Sequence, residues 1–181
     1  MSRTARLAIT CAALAVAGGI AFTITTGHAQ EAPGRFPSTT VDIGIVVSDI
    51  EESVAFYRDG LGFTELPGFD VPASLGRESG LADDQPFHVH VLALGDEPTA
   101  TKVKLMQFTD APGQPQDNSF IHSTLGLSYL TIHTADTAAA IERASAAGAE
   151  PIANCPVELG GGAFLTVVRD PDGNLIEFVG P

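Results

Sequence analysis

His88, His90, His122 and His133 are where this chain could ligate a metal or move a proton near neutral pH. His88 and His90 alternate with Val89 and Val91, so on a strand both project from one face. Two histidines at that spacing can share a metal, but a site needs a third ligand, and the plainer reading is the polar outer face of a sheet. His133 lies four residues after Tyr129 and shares its strand parity, which puts both on one face with His133 as a proton donor or acceptor. His122 falls at the edge of a linker, either as a lid residue or as a solvated one. No Ser–His–Asp order and no zinc-ribbon spacing can be recognised. Gly160-Gly161-Gly162 precedes a strand with no helix or lysine after it, so it reads as a flexible bend and not a phosphate cradle.

The elements that must carry these residues occur twice. Residues 40–48 are β-rich, and Asp49 then caps a helix, with Glu52 placed to complete a capping box. Ile50, Val54, Tyr57 and Leu61 recur at helical spacing, and Gly60 or Gly62 ends the run. In the second copy residues 129–134 form the first strand, Asp136 stands where Asp49 stood, and Ile141 matches Val54. Gly148 ends that helix. Three strands follow each helix. In the first copy the pattern predicts them at 63–66, 87–94 and 102–109; in the second, at 151–153, 163–168 and 175–179. The last two are joined by Asp170-Pro171-Asp172-Gly173-Asn174, a strong turn signal. The order is therefore β-α-β-β-β, twice, with residues 111–118 between the copies. Such a duplication predicts an α+β fold in which two half-sheets complete one cup.

Between Leu66 and Phe87 runs an insert with Phe69, Val71 and Leu75, read either as a flap over the cup mouth or as a surface loop packed on its own apolar residues. Residues 1–29 read as a secretory signal. Arg3 and Arg6 precede an apolar run, and Gly27 and Ala29 sit where a signal peptidase reads small residues, so cleavage after Ala29 is expected, with an uncleaved anchor as the alternative. Residues 30–38 form a linker and 39–181 the folded domain, with copies at 39–110 and 124–180. The expected location is exported, periplasmic or secreted. Cleavage would leave one cysteine, Cys155, which has no intrachain partner and no basic neighbours to activate it. The balance of 22 acidic against 9 basic residues repels phosphate backbones and anionic lipid, which argues against nucleic-acid binding.

Three stretches carry a family resemblance: residues 42–49 (Asp-Ile-Gly-Ile-Val-Val-Ser-Asp), 53–63 (Ser-Val-Ala-Phe-Tyr-Arg-Asp-Gly-Leu-Gly-Phe) and 169–178 (Arg-Asp-Pro-Asp-Gly-Asn-Leu-Ile-Glu-Phe). With them the chain resembles the vicinal oxygen chelate superfamily, which includes glyoxalases, bleomycin-resistance proteins and extradiol dioxygenases. The resemblance implies two βαβββ modules forming a cupped, eight-stranded mixed sheet. In catalytic members a divalent metal in the cup chelates two neighbouring substrate oxygens. Its ligands stand on the first and fourth strand of each module.

Those positions are Asp42, Lys104, Tyr129 and Glu177 in this chain. Glu177 is a usual metal ligand and Asp42 an acceptable one, whereas Tyr129 is poor and a protonated Lys104 cannot serve. One alternative follows from charge: the Lys104 ammonium stands in for the metal, bridging Asp42 and Glu177. The other is that Lys104 points outward and Glu177 is an ordinary surface carboxylate. The resemblance thus implies an exported glyoxalase-like protein. As an enzyme it would be a lyase, isomerase or dioxygenase for a small oxygenated substrate, with Glu177 as ligand or base and Tyr129 and His133 assisting. As a binder it would hold a small molecule without metal in a cup that includes Asp42, Lys104, Tyr129 and Glu177. A homodimer, with two chains exchanging modules, fits either form.

Overall fold

The computed structural model describes residues 38, 40–96 and 99–181; the signal segment expected at 1–29 lies outside them. In chain order the elements are β1 (Asp42–Val46), α1 (Ile50–Ala55), a single wide π turn (Phe56–Gly60), β2 (Thr64–Val71), α2 (Ala73–Ser79), β3 (Phe87–Leu94) and β4 (Thr101–Met106). The second module adds β5 (Tyr129–His133), α3 (Thr137–Ala146), β6 (Val157–Gly160), β7 (Ala163–Arg169) and β8 (Leu175–Gly180). The eight strands form two four-stranded mixed sheets, ordered β1-β4-β3-β2 and β5-β8-β7-β6. In each module the first strand pairs parallel with the fourth and the rest are antiparallel.

Both helices start as their sequences require. The Asp49 carboxylate accepts from the Glu52 amide at 3.0 Å, and Asp136 accepts from the Ala139 amide at 2.9 Å. Each satisfies an amide the first turn leaves free. After Ala55 the first helix widens, with the Leu61 amide reaching Phe56 O at 3.1 Å. Gly60 makes this possible: a Cβ there would lie 2.9 Å from the Cβ of Ala147, so only glycine lets the π turn lie against the end of α3.

Alternation along the strands divides each sheet into two faces. On one face Val103, Leu105 and Leu92 of the first sheet and Ile132, Ile176, Phe178 and Val168 of the second join the helices in one core with Tyr57, Ala140 and Ala144. The opposite face of the first sheet has a smaller apolar cluster, Val71, Val89 and Val91, with Leu66, Phe87 and Met106 against it. It also carries Asp42, Gly44 and Lys104, by register with Val91 and Lys102.

Three departures from the sequence expectation have physical causes. Strand β2 continues to Val71, because Pro67 and Gly68 sit in a bulge between Leu66 and Phe69 and do not end the strand. A Cβ on Gly68 would come within 2.4 Å of Val89 O, so the partner strand passes too close for any side chain. The insert also holds α2, opened by Pro72 and closed by Gly80 in the left-handed region. Residues 151–153 are not a strand; Ile152 gives one amide to Val167 O at 2.9 Å, and β6 begins at Val157.

Candidate functional site

The motif at 170–174 is a clasp between modules. Asp170 is 5 % exposed and accepts four hydrogen bonds. One oxygen takes the amides of Asp172 and Asn174 at 3.1 and 2.8 Å; the other takes the Asn174 side-chain amide at 2.8 Å and the Tyr57 hydroxyl at 3.0 Å. Tyr57 is fully buried, in edge contact with Phe56 and Phe63. Burial pushes the Tyr57 hydroxyl well above its ordinary range, with the Asp170 charge acting the same way, and raises the Asp170 carboxyl also. The Asp172 carboxylate accepts from the Ser48 amide at the end of β1 at 3.1 Å, and Asn118 reaches Asn174 at 3.4 Å. The turn thereby ties the first helix, the first strand and the linker to the second sheet.

Of the four positions named by resemblance, Asp42 and Lys104 meet at 2.8 Å, both about a third exposed. Asp42 and Lys104 project from the same face of the parallel β1–β4 pair. This contact, above all, holds the Asp42 carboxyl below the usual range. The stabilisation it gives is therefore present above about pH 4, the ordinary carboxylate range, and lost as pH falls through the depressed value. Asp42→Asn is expected to remove that part of the acid limb of a stability–pH curve. The change is small because the pair is solvated; unfolding by urea at pH 3 and pH 6 measures it.

Glu177 takes its hydrogen bond from Thr131 at 2.7 Å, and Lys104 forms its ion pair with Asp42 and not with Glu177. Half of the bridging arrangement is thus present, and the four residues fall into two pairs, one on each sheet. Tyr129 and Glu177 line a cavity of about 270 Å³ whose floor is Ile152, Val167 and Leu175 and whose roof is the linker, Ser119 to His122. The ring of His122 stacks on Phe120 at 5.7 Å, and both residues line this cavity. Nothing periodic marks the roof in the sequence; the one available signal was Phe120-Ile121, an apolar pair within a polar, proline-rich linker.

The other histidines stand apart from that cavity. His133 lines a different one, with Arg58 and Arg143. His88 and His90 lie on the same side of their sheet as Leu92 and Leu105. His88 bonds Asp70 at 2.7 Å, and His90 sits 3.6 Å from Glu65. They therefore stand on the core side of the sheet, each beside a carboxylate, and not on the polar outer face expected as the plainer reading.

The donor set does not suit a divalent metal. Asp42 is engaged by an ammonium, Tyr129 offers a neutral phenol, and among the described residues no three His, Cys, Asp or Glu side chains are grouped to hold an ion. That leaves Glu177 as one carboxylate among apolar walls, an arrangement able to orient a small ligand or accept its proton.

Comparison with known proteins agrees with the architecture. The family model for the glyoxalase/bleomycin resistance protein/dioxygenase superfamily matches residues 39–178. No curated protein matches the chain. Among solved structures, a glyoxalase family protein from Bacillus cereus is similar at 19 % identity over 83 % of this chain and 98 % of that one, with a TM-score of 0.68. One from Enterococcus faecalis gives 21 %, 77 %, 94 % and 0.53. Glyoxalase I from Zea mays gives 20 % identity and a TM-score of 0.59 over 78 % of this chain, which spans only 44 % of that protein. At these identities the likeness is one of fold. With its two βαβββ modules and a family match over most of its length, the chain belongs to the glyoxalase/bleomycin resistance protein/dioxygenase superfamily.

Proposed function

We propose that this chain binds a small molecule in the cavity beside Glu177 without using a divalent ion. The observation that carries this reading is the 2.8 Å Lys104–Asp42 ion pair, which commits two of the four positions where catalytic relatives would hold their metal. The walls supply apolar contact from Ile152, Val167 and Leu175, and aromatic surface from Phe120 and Tyr129. One charged acceptor, Glu177, selects the ligand's polar end. The ligand class that fits is a compact aromatic body bearing an amine, and benzylamine and tyramine are suitable probes.

The test is a thermal-shift titration of chelator-treated protein. Melting is expected to rise with either amine and to stay unchanged with Zn²⁺, Mn²⁺ or Mg²⁺. A rise with one of these ions, together with turnover of dicarbonyl or catechol substrates, would replace this reading with a metal-dependent enzyme.

A further inference from the structure

A second cavity, about 330 Å³, opens where the π turn, the end of β3, β5 and α3 meet. It shares no lining residue with the Glu177 cavity. Its floor is core: Leu61, Ile132, Ala140 and Phe178 are each at most 8 % exposed. Its rim carries Arg58, Asp59, His133 and Arg143. The size lies near the lower end of small-molecule sites, roughly 300–1,000 Å³.

The charges on this rim are not equivalent. Arg58 grips Asp59 through two bonds of 2.7 Å and approaches Glu65 at 3.6 Å, so that pair neutralises itself. Arg143 makes no hydrogen bond or ion pair among the described residues. Its guanidinium lies 3.7 Å from where a Cβ on Gly62 would be, against backbone that has no side chain to bond it. A cation in the last turn of α3 suits the free carbonyls there, which accounts for an arginine at that point of the helix but not for its place over a recessed apolar floor. In a chain with 22 acidic residues and 9 basic ones, a guanidinium left without a carboxylate is an open anion position. The π turn, a deviation often found at functional sites, is what carries Arg58 and Asp59 to this rim.

We propose that this cavity binds a small organic monocarboxylate, the carboxylate paired in two-point fashion with Arg143 and the apolar body lying on Leu61, Ile132 and Phe178. The planar fork of arginine matches a carboxylate, and the floor rewards a ligand with a carbon skeleton over a bare inorganic anion.

Isothermal titration of the full chain with sodium benzoate, benzyl alcohol and inorganic phosphate tests this. Benzoate is expected to bind at one site and benzyl alcohol not to bind. Because Arg143 is exposed, Arg143→Gln leaves the fold intact and is expected to weaken benzoate binding at least about tenfold. Glu177→Gln, in the other cavity, is expected to leave it unchanged. The proposal is overturned by the absence of saturable benzoate binding, by equal affinity in Arg143→Gln, or by a changed affinity in Glu177→Gln, where removing the carboxylate charge would relieve repulsion if benzoate occupied the other cavity. Phosphate binding that depends on Arg143 while benzoate fails to bind would overturn the carboxylate assignment.

Discussion

Asp170→Ala is expected to destabilise the folded chain by about 3–5 kcal/mol, read as a lower guanidinium midpoint with little change in the slope of the transition. The substitution removes an acceptor of four hydrogen bonds and strands the hydroxyl of Tyr57, which no water reaches. It also loosens the turn whose other members hold Ser48 and Asn118, so the damage extends to both modules. Asp170→Asn keeps one acceptor oxygen and sheds a buried charge, and should cost less. The pH dependence separates the two effects. Burial raises the Asp170 carboxyl above its unfolded value, so its titration favours the folded state fully below pH 3.8, and that advantage is lost as pH rises through the folded value. In Asp170→Asn this segment of the stability–pH curve should flatten.

Glu177→Gln carries the second large expectation: roughly ten- to a hundredfold weaker binding of benzylamine, with stability almost unchanged. A hydrogen bond to a charged partner is worth about 1.5–3 kcal/mol, and each 1.4 kcal/mol is tenfold in affinity. Glutamine retains the shape and can still accept from Thr131, whose hydroxyl bonds Glu177 across the β5–β8 pair. The fold should therefore tolerate the change, and the loss should fall on the ligand. Equal affinity in the variant would mean that the amine binds elsewhere.

The elements that carry periodicity were readable from the chain. The strand at 87–94 is found with those bounds, and the aspartates at 49 and 136 cap their helices. Where local chemistry has two meanings, sequence alone misleads. Pro67-Gly68 marks a turn in most contexts, but here a long neighbouring strand absorbs it as a bulge. The positions of Asp42 and Lys104 came from the family resemblance; their contact becomes visible only in the parallel β1–β4 register, where both face away from the helices. The roof over Glu177 did not, because a linker's path depends on tertiary anchors such as Asn118–Asn174. His133 shows the limit of parity: it has the register of Tyr129, yet it stands at the far end of β5, where the π turn and α3 form a different cavity.

That the Glu177 cavity takes its ligand without a divalent ion is tested most directly by calorimetric titration of benzylamine into the protein before and after exhaustive chelation. The expected result is one affinity in both preparations, with no stoichiometric metal in either by elemental analysis. Loss of binding on chelation, restored by one equivalent of a divalent cation, would contradict it.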